Sequence, residues 1–367
     1  MPATATAAVV DRPDGPFRLG PVELDGPRDD EVLVRVEACG ICHTDLKVRE
    51  RLPLPAVLGH EGTGTVLETG AGVTRFARGE RVILSYPSCG DCAPCRRAEP
   101  FRCEHIPALK FGGARADGTK PVRVDGAPVS SAFFQQSSFA TLAVAHERTL
   151  VPVRTDHPPE LLAALPCGIQ TGAGAVLNTF RATGGHPLVV IGVGAVGLSA
   201  VMAGRIVGTR PIVAVDVVPS RLELARELGA DHAVDARAED VVARLREALP
   251  HGARYVLETS ATVAGLETGI ACLGQGGAIG IVSAPPPGET FPFTTRTLFE
   301  RVATLHGICQ GSSVPRDFLP RLLALHDQGR FPVDRLVTAY DFADINRAVA
   351  DMERGVAVKP VLVMPTG

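Results

Sequence analysis

The sequence predicts an α/β protein of two domains, one β-rich and one built on a doubly wound parallel sheet. Three observations carry that prediction: a length of 367 residues, a change of pattern near residue 185, and a glycine-rich turn beginning at Gly192. The length is enough for two cores. Hydrophobic residues make up 45% and charged residues 21%, the balance of a soluble globular chain.

From about residue 31 to 150 the chain reads as strands. Glu31–Glu37 alternates apolar and polar residues as a half-buried strand does, and Gly and Pro punctuate the intervals. Residues 104–138, rich in Gly, Ser and Ala, read as a long loop. Beyond 185, short apolar runs alternate with helical patterns: Leu188–Ile191, Ala195–Val207, Ile212–Val215 and Ser220–Leu228. Tyr255–Leu257, Ala278–Val282 and Ala303–Leu305 continue the strands, so βαβ units and a parallel sheet follow. Ser220 with Glu223 predicts a capping box at the start of its helix. The tail, 309–367, predicts helices over Asp317–Gln328 and Phe342–Glu353 and a last apolar run, Pro360–Val363. There is no internal repeat and no low-complexity tract.

The formal charge is −3 and there is no long basic run. This argues against a nucleic-acid partner or an anionic membrane surface. Met1–Val10 lacks the features of a signal peptide, and no apolar stretch approaches the ~20 residues of a membrane helix. The expectation is a cytoplasmic protein. Nine cysteines, odd in number and unevenly placed, then read as metal ligands rather than a disulfide framework.

Leu188–Ile191 leads into Gly192-Val-Gly194-Ala-Val-Gly197 and a helix, and Asp216 ends the next strand 19 residues past Gly197. In that context the glycines serve a tight turn, close approach of a pyrophosphate, and helix–strand packing. The phosphates sit at the positive end of the helix. Asp216 accepts from ribose hydroxyls and repels a 2′-phosphate, which favours NAD over NADP. The bland alternative is a structural turn with no ligand.

Cys89-x2-Cys92-x2-Cys95-x7-Cys103 is the strongest local signal. Four thiolates suit tetrahedral zinc and leave no open position, so the site is expected to be structural. An iron–sulfur cluster is the weaker alternative. Cys42, His60 and Cys167 lie too far apart for spacing to join them. Singly, Cys167 reads as a small buried hydrophobe and His60 as a core histidine. A Cys2His set with one open position is nonetheless a known catalytic zinc arrangement.

Read together, these residues resemble the zinc-containing medium-chain alcohol dehydrogenases over essentially the whole chain. The carriers are Cys39-Gly-Ile-Cys42-His-Thr-Asp45, Gly59-His60-Glu61, Pro166-Cys167-Gly168-Ile-Gln-Thr171-Gly172 and the cysteine loop. Ser85-Tyr86, Phe111-Gly112-Gly113-Ala114-Arg115 and Phe134-Gln135-Gln136-Ser137-Ser138-Phe139-Ala140 look most like the bacterial aryl-alcohol (benzyl-alcohol) dehydrogenases. The resemblance implies a GroES-like catalytic domain over 1–168 and 309–367, with a structural zinc lobe at 85–105. It implies a Rossmann NAD-binding domain over 169–308 and two zinc ions per chain.

It also implies roles. Cys42, His60 and Cys167 hold the catalytic zinc, and Thr44 hydrogen-bonds the alcohol oxygen. Asp45 accepts the second ring N–H of His60, and Glu61 lies beside the metal. His43 and Lys359 contact the cofactor pyrophosphate, Arg221 joins in gripping the adenosine ribose, and Thr171 and Val196 pack near the nicotinamide. Each has a plainer reading as a cap, an ion-pair partner or a surface charge. Two departures stand out. Lys47 occupies the position of a relay histidine, which moves the end of the relay to Thr44, the ribose hydroxyls and solvent. The stretch between Cys42 and His60 is about three residues short against the resemblance.

Phe133, Phe134 and a small Ser85 fall where the family lines its substrate cleft, which favours an aryl or allylic primary alcohol over ethanol; the alternative is that both phenyls are core. Rival functions are a thiol-dependent formaldehyde (hemithioacetal) dehydrogenase, a zinc-ribbon binding module and an NADPH-linked quinone reductase. The expected partners are a small-molecule alcohol and aldehyde and further copies of the chain, as a homodimer or homotetramer.

Overall fold

The structure is a computed structural model and describes residues 3–283, 288, 290–291 and 295–365. The chain divides into two compact units. One comprises Met1–Cys167, Val314–Arg321 and Val333–Gly367; the other comprises Gly168–Ser313 and Leu322–Pro332.

The first unit is built on a five-stranded and a seven-stranded sheet. Its central strand, Glu31–Gly40, pairs antiparallel with Gly62–Thr69, Leu142–His146 and Lys359–Val363. The alternation that predicts a half-buried strand is only half the outcome. Val32, Val34 and Val36 enter one core cluster, with Phe133, Phe139 and Phe342. Leu33 enters a second, with Ala5, Val9, Val57 and Val144, so both faces are covered. Each large side chain so buried is worth ~1.5–3 kcal/mol relative to exposure.

Residues 104–138 are more ordered than the loop expected of them. Pro107 in the first turn opens the short helix Ile106–Phe111. Val122–Val124 and Ala127–Pro128 pair across Asp125-Gly126, both at positive φ (49° and 76°), the signature of a two-residue hairpin turn. Arg115 then anchors the segment. Its guanidinium donates to both oxygens of Glu31 (2.7 and 2.9 Å) and to Asp25 (3.1 Å).

The second unit carries a six-stranded parallel sheet. In space the strands run His232–Asp235, Ile212–Asp216, Leu188–Ile191, Ala253–Glu258, Leu273–Ile281 and Thr304–Gly307. This is the doubly wound order 3-2-1-4-5-6, with its switch point between Leu188–Ile191 and Ala253–Glu258. The helix Ala195–Val207 has the expected bounds and ends on Gly208 in the left-handed region.

Two expectations fail here. The helix containing Ser220 begins at Pro219 with Val218 as its cap, so no capping box forms. Proline has a preset φ and no N–H to satisfy, so it takes the first helical position, and the Asp216 carboxylate accepts the Val218 N–H instead (2.9 Å). The expectation that no apolar run approaches membrane length also fails. Pro159–Thr179 is a helical run of 21 residues, long and apolar enough by that test. Of its most apolar 18-residue window 89% is buried inside the protein, which makes it a core helix.

Candidate active site

Cys42 caps the short helix His43–Lys47, its sulfur accepting from the Thr44 N–H at 3.5 Å. Asp45, three residues on, reaches back to accept the Cys42 N–H at 2.9 Å. The other Asp45 oxygen accepts from Gly59 N (3.2 Å) and faces His60 Nδ1 at 2.8 Å. One fully buried carboxylate thus links the Cys42 turn to His60. Gly59 is required at that bend: its φ is +89°, and a Cβ there would lie 2.4 Å from the Phe139 nitrogen.

With Nδ1 engaged, His60 Nε2 lies 3.3 Å from Cys167 Sγ. Cys167 stands in Leu165–Ile169, a wide-turn stretch of helix. One ligand atom from each of Cys42, His60, Glu61 and Cys167 falls within 4.8 Å of the others.

The electrostatics are those of a crowded donor set. Hydrogen bonding from Cys167, and then His60, holds the Cys42 thiol well below its ordinary pKa despite burial. The same pairing, with burial, drives Cys167 up. Burial opposes a charged His60, but the Asp45 charge and hydrogen bond, with Cys42, outweigh it and hold its pKa at about 10. Burial raises Glu61 to about 7, against the pull of Lys359. Lys359 pairs with Glu61 Oε2 and donates to Ile41 O at 3.2 Å. Glu61 Oε1 is buried without a hydrogen-bond donor. Two sulfurs, an imidazole and an unsatisfied carboxylate oxygen suit a divalent cation of zinc's character, which would take the place of the shared protons.

Cys89, Cys92, Cys95 and Cys103 form a second group whose sulfurs lie within 4.8 Å of one another. Backbone N–H groups of Asp91 and Cys92 donate to Cys89 Sγ (3.4 and 3.3 Å), and Cys89 N donates to Cys103 Sγ (3.3 Å). Burial would raise Cys89, yet the backbone N–H groups of Cys92 and Asp91, with side-chain bonds from Cys103 and Cys92, bring it down to about 7. Four protein sulfurs, two of them already accepting backbone N–H groups, suit a closed zinc site.

Phe134 stacks on the His60 ring, with centroids 4.3 Å apart and planes at 26°; Phe133 meets it edge-on at 5.5 Å and 89°. Both phenyls are buried and belong to the core of the unit. Ser85 is buried, its hydroxyl donating to Pro166 O at 3.3 Å. Thr44 is half-buried, with its hydroxyl 3.6 Å from Cys42 Sγ. His43 and Lys47 are exposed.

In the second unit, Gly192 has φ +83° and its N–H donates to Val215 O (2.8 Å). The helix starts after Gly194, which serves as its cap. A Cβ on Gly197 would lie 2.0 Å from Gly192 O, whereas a Cβ on Gly194 would meet nothing within 4 Å. The third glycine is there for packing, and the second borders open space at a helix N-terminus, a cradle that fits a pyrophosphate. Asp216 is buried and accepts from Val193 N (2.6 Å) and Val218 N (2.9 Å). Arg221 Nε, five residues on, is buried with no hydrogen-bond partner. Thr171 is buried and Val196 half-buried.

Sequence reasoning gave no role to Lys110, and it quoted Gln136 only within the stretch that carries the resemblance. Lys110, buried, has its ammonium 5.1 Å from the Phe134 ring centre and 5.3 Å from that of Tyr86. Gln136 hydrogen-bonds the backbone at His60 and Gly62. A buried amide bonding main chain leaves no pattern in a single sequence.

Residues 28–155 match the family described as "Alcohol dehydrogenase GroES-like domain", and residues 195–327 match "Zinc-binding dehydrogenase". Geraniol dehydrogenase of Castellaniella defragrans is 45% identical over 364 residues, 98% of each chain. Among solved structures, an alcohol dehydrogenase zinc-binding domain protein from Burkholderia ambifaria has a TM-score of 0.97 at 47% identity, covering 100% of both chains. Benzyl alcohol dehydrogenase from Acinetobacter calcoaceticus has a TM-score of 0.95 at 41% identity, covering 99% of this chain and 100% of its own. Likeness along both units leaves no room for a free-standing zinc-ribbon module. The chain belongs to the zinc-containing, NAD-linked medium-chain alcohol dehydrogenases, with a GroES-like catalytic part and a Rossmann coenzyme domain.

Proposed function

We propose that this enzyme interconverts aryl or allylic primary alcohols and their aldehydes, with Cys42, His60 and Cys167 holding the catalytic zinc and Cys89, Cys92, Cys95 and Cys103 the structural one. The observation that carries the substrate class is the likeness, over nearly the whole chain, to relatives named for geraniol and benzyl alcohol, at 45% and 41% identity. Phe134 and Phe133 pack on the His60 ring as buried core residues, so their part in favouring a flat substrate, like that of the buried Ser85, rests on the family resemblance.

When bound, zinc supplies Lewis acidity at the alcohol oxygen, and the nicotinamide supplies the hydride acceptor. The chain's residues do the rest. Asp45 fixes the tautomer and plane of His60 through the 2.8 Å contact at Nδ1. Thr44, half-buried beside Cys42, hydrogen-bonds the alcohol oxygen and takes its proton outward. Lys47 is an exposed ammonium and offers no lone pair, so the ribose hydroxyls and solvent complete the relay. Glu61 holds negative charge near the donors, balanced by Lys359.

On the coenzyme side, Gly192, Gly194 and Gly197 shape the pyrophosphate cradle, and Asp216 selects NAD against NADP. The unsatisfied Arg221 Nε supports its part at the adenosine ribose. Thr171 and Val196 pack near the nicotinamide. His43, exposed, contacts the pyrophosphate; Lys359 carries the same expectation from the resemblance, but it is 2% exposed and its ammonium pairs with Glu61 and Ile41. The enzyme works in the cytoplasm, where its nine thiols stay reduced. It assembles as a homodimer or homotetramer through the coenzyme domain, whose edge strand Thr304–Gly307 carries exposed Leu305 (43%) and follows exposed Phe299 (83%) and Val302 (71%) in the chain.

The test is a substrate panel of benzyl, cinnamyl and geranyl alcohols, ethanol and thiol–formaldehyde adducts, each with NAD and NADP. The largest kcat/KM is expected for the aryl and allylic alcohols with NAD. Preference for ethanol or for a thiol adduct would overturn the substrate class, and preference for NADP the role of Asp216.

A further inference from the structure

Gln136 is a buried group (2% exposed) that the reaction does not use, and all four of its hydrogen-bonding positions are filled. Its Nε2 donates to His60 O at 3.1 Å and to Ser85 O at 3.0 Å. Its Oε1 accepts from Gly62 N at 3.2 Å and from the Ser138 hydroxyl. One side-chain amide therefore grips the main chain on both sides of Glu61 and ties it to Ser85.

The segment that delivers this amide is held in an unusual conformation. Ala132, Phe134, Gln135 and Ser137 have φ of 54°, 52°, 55° and 52°, a region that side-chain-bearing residues disfavour. Specific bonds enforce it. Ser137 Oγ donates to Val57 O at 2.7 Å, and Gln135 Nε2 donates to Leu109 O and Ala114 O at 3.2 Å each. Backbone outliers persist where their surroundings over-determine them, and they cluster at functional sites. Here the outcome is concrete. The same turn that aims the Gln136 amide at the His60 carbonyl lays the Phe134 ring on the His60 imidazole. His60 is thus held at three points: Nδ1 by Asp45, the ring face by Phe134, and the main chain by Gln136.

We propose that Gln136 is a positioning residue for the catalytic metal: its amide fixes the path of His60–Gly62, so that His60 Nε2 and the Glu61 carboxyl keep their places beside Cys42 and Cys167. Phe134 acts with it, restraining rotation of the ring that Asp45 holds at one edge. The proposal rests on His60 being a zinc ligand. It goes beyond that reading in assigning control of the metal to a segment that supplies no ligand.

The experiment uses the full chain loaded with both zinc ions and compares Gln136→Glu, Gln136→Met and Phe134→Leu with wild type. Gln136→Glu keeps the shape but turns an oxygen toward two carbonyl oxygens; Gln136→Met keeps the length and removes every bond. The readouts are zinc per chain after timed exposure to EDTA, the visible spectrum of the cobalt-substituted enzyme, thermal unfolding, and kcat against KM. Both Gln136 variants should release one of the two zinc ions roughly tenfold faster, as supporting groups of metal ligands do. They should keep the other zinc, shift the cobalt bands and lose kcat more than KM; Phe134→Leu should fall between them and wild type. Wild-type zinc release and cobalt spectrum in both Gln136 variants would overturn the proposal. So would loss of both metals together with the fold, which would assign the amide to the core alone. Failure of the underlying reading looks different: His60→Ala would then retain both zinc ions whatever the Gln136 variants do.

Discussion

His60 Nδ1 and Asp45 Oδ1 stand 2.8 Å apart, at residues 1% and 0% exposed. The contact leaves Nε2 as the ring atom free to face Cys167, so it decides which nitrogen serves the metal. Replacing Asp45 by Asn keeps the shape and removes the charge. Affinity for the catalytic zinc, or turnover, should fall by about 10–100-fold, while the zinc at Cys89–Cys103 stays. Competition with a graded chelator, read as zinc per chain, checks this; unchanged affinity would mean that Asp45 serves only as the cap of His43–Lys47.

The glycine-rich turn makes a prediction with opposite arms. Gly197→Ala places a Cβ 2.0 Å from the Gly192 carbonyl, an overpacking expected to cost ~1–3 kcal/mol of stability. Gly194→Ala meets nothing within 4 Å and has φ −75°, so the fold should tolerate it. It should instead weaken NAD binding, because the new methyl enters the cradle. Thermal unfolding and NAD titration together separate the two. Equal loss of stability in both variants would contradict the division of roles.

His146 gives a dependence on pH. Burial lowers its pKa below the usual 6.5, although Asp30 lies 3.2 Å away. Its Nδ1 accepts the Arg148 N–H at 3.1 Å, and the Arg148 side chain donates to the Cys89 carbonyl. A histidine depressed in the folded state binds its proton more readily unfolded. Its stabilising share is therefore intact above pH 6.5 and is lost as pH falls from there toward the folded value. The difference in melting temperature between pH 7.5 and pH 5.5 should be smaller in His146→Gln than in wild type. An identical pH response would remove His146 from the account.

Much of this architecture was legible in the residues. Ala195–Val207 was readable because its apolar period is framed by Gly194 and by Gly208. The strand at Ile212 was readable because a wholly apolar run ends in Asp216. The edge strand His232–Asp235 was not, since its residues are largely half-buried or exposed and carry no alternation. The start at Pro219 was mistaken because Ser220 and Glu223 have capping spacing, but a proline just ahead fixes the first turn. The Asp125-Gly126 hairpin did have a local signal, hidden by the glycines around it.

The site divides in the same way. The Cys89–Cys103 group and the Gly192–Gly197 turn are local, so spacing carries them. Cys42, His60 and Cys167 are brought within reach only by the fold, and spacing alone could not join them. Gln136 stood within the Phe134–Ala140 stretch, but its role was invisible because its partners are carbonyls and amides that every residue possesses. Lys359 carried an expectation at the pyrophosphate, but its burial against Glu61 belongs to tertiary structure alone.

The central claim is that two independent zinc sites exist in one chain and that Cys42 belongs to the catalytic one. Zinc analysis of purified Cys42→Ala, with activity measured on the same sample, tests it most directly. One zinc per chain where wild type has two, with activity abolished and the melting temperature near wild type, is the predicted result. Two zinc ions retained, or both lost together, would contradict it.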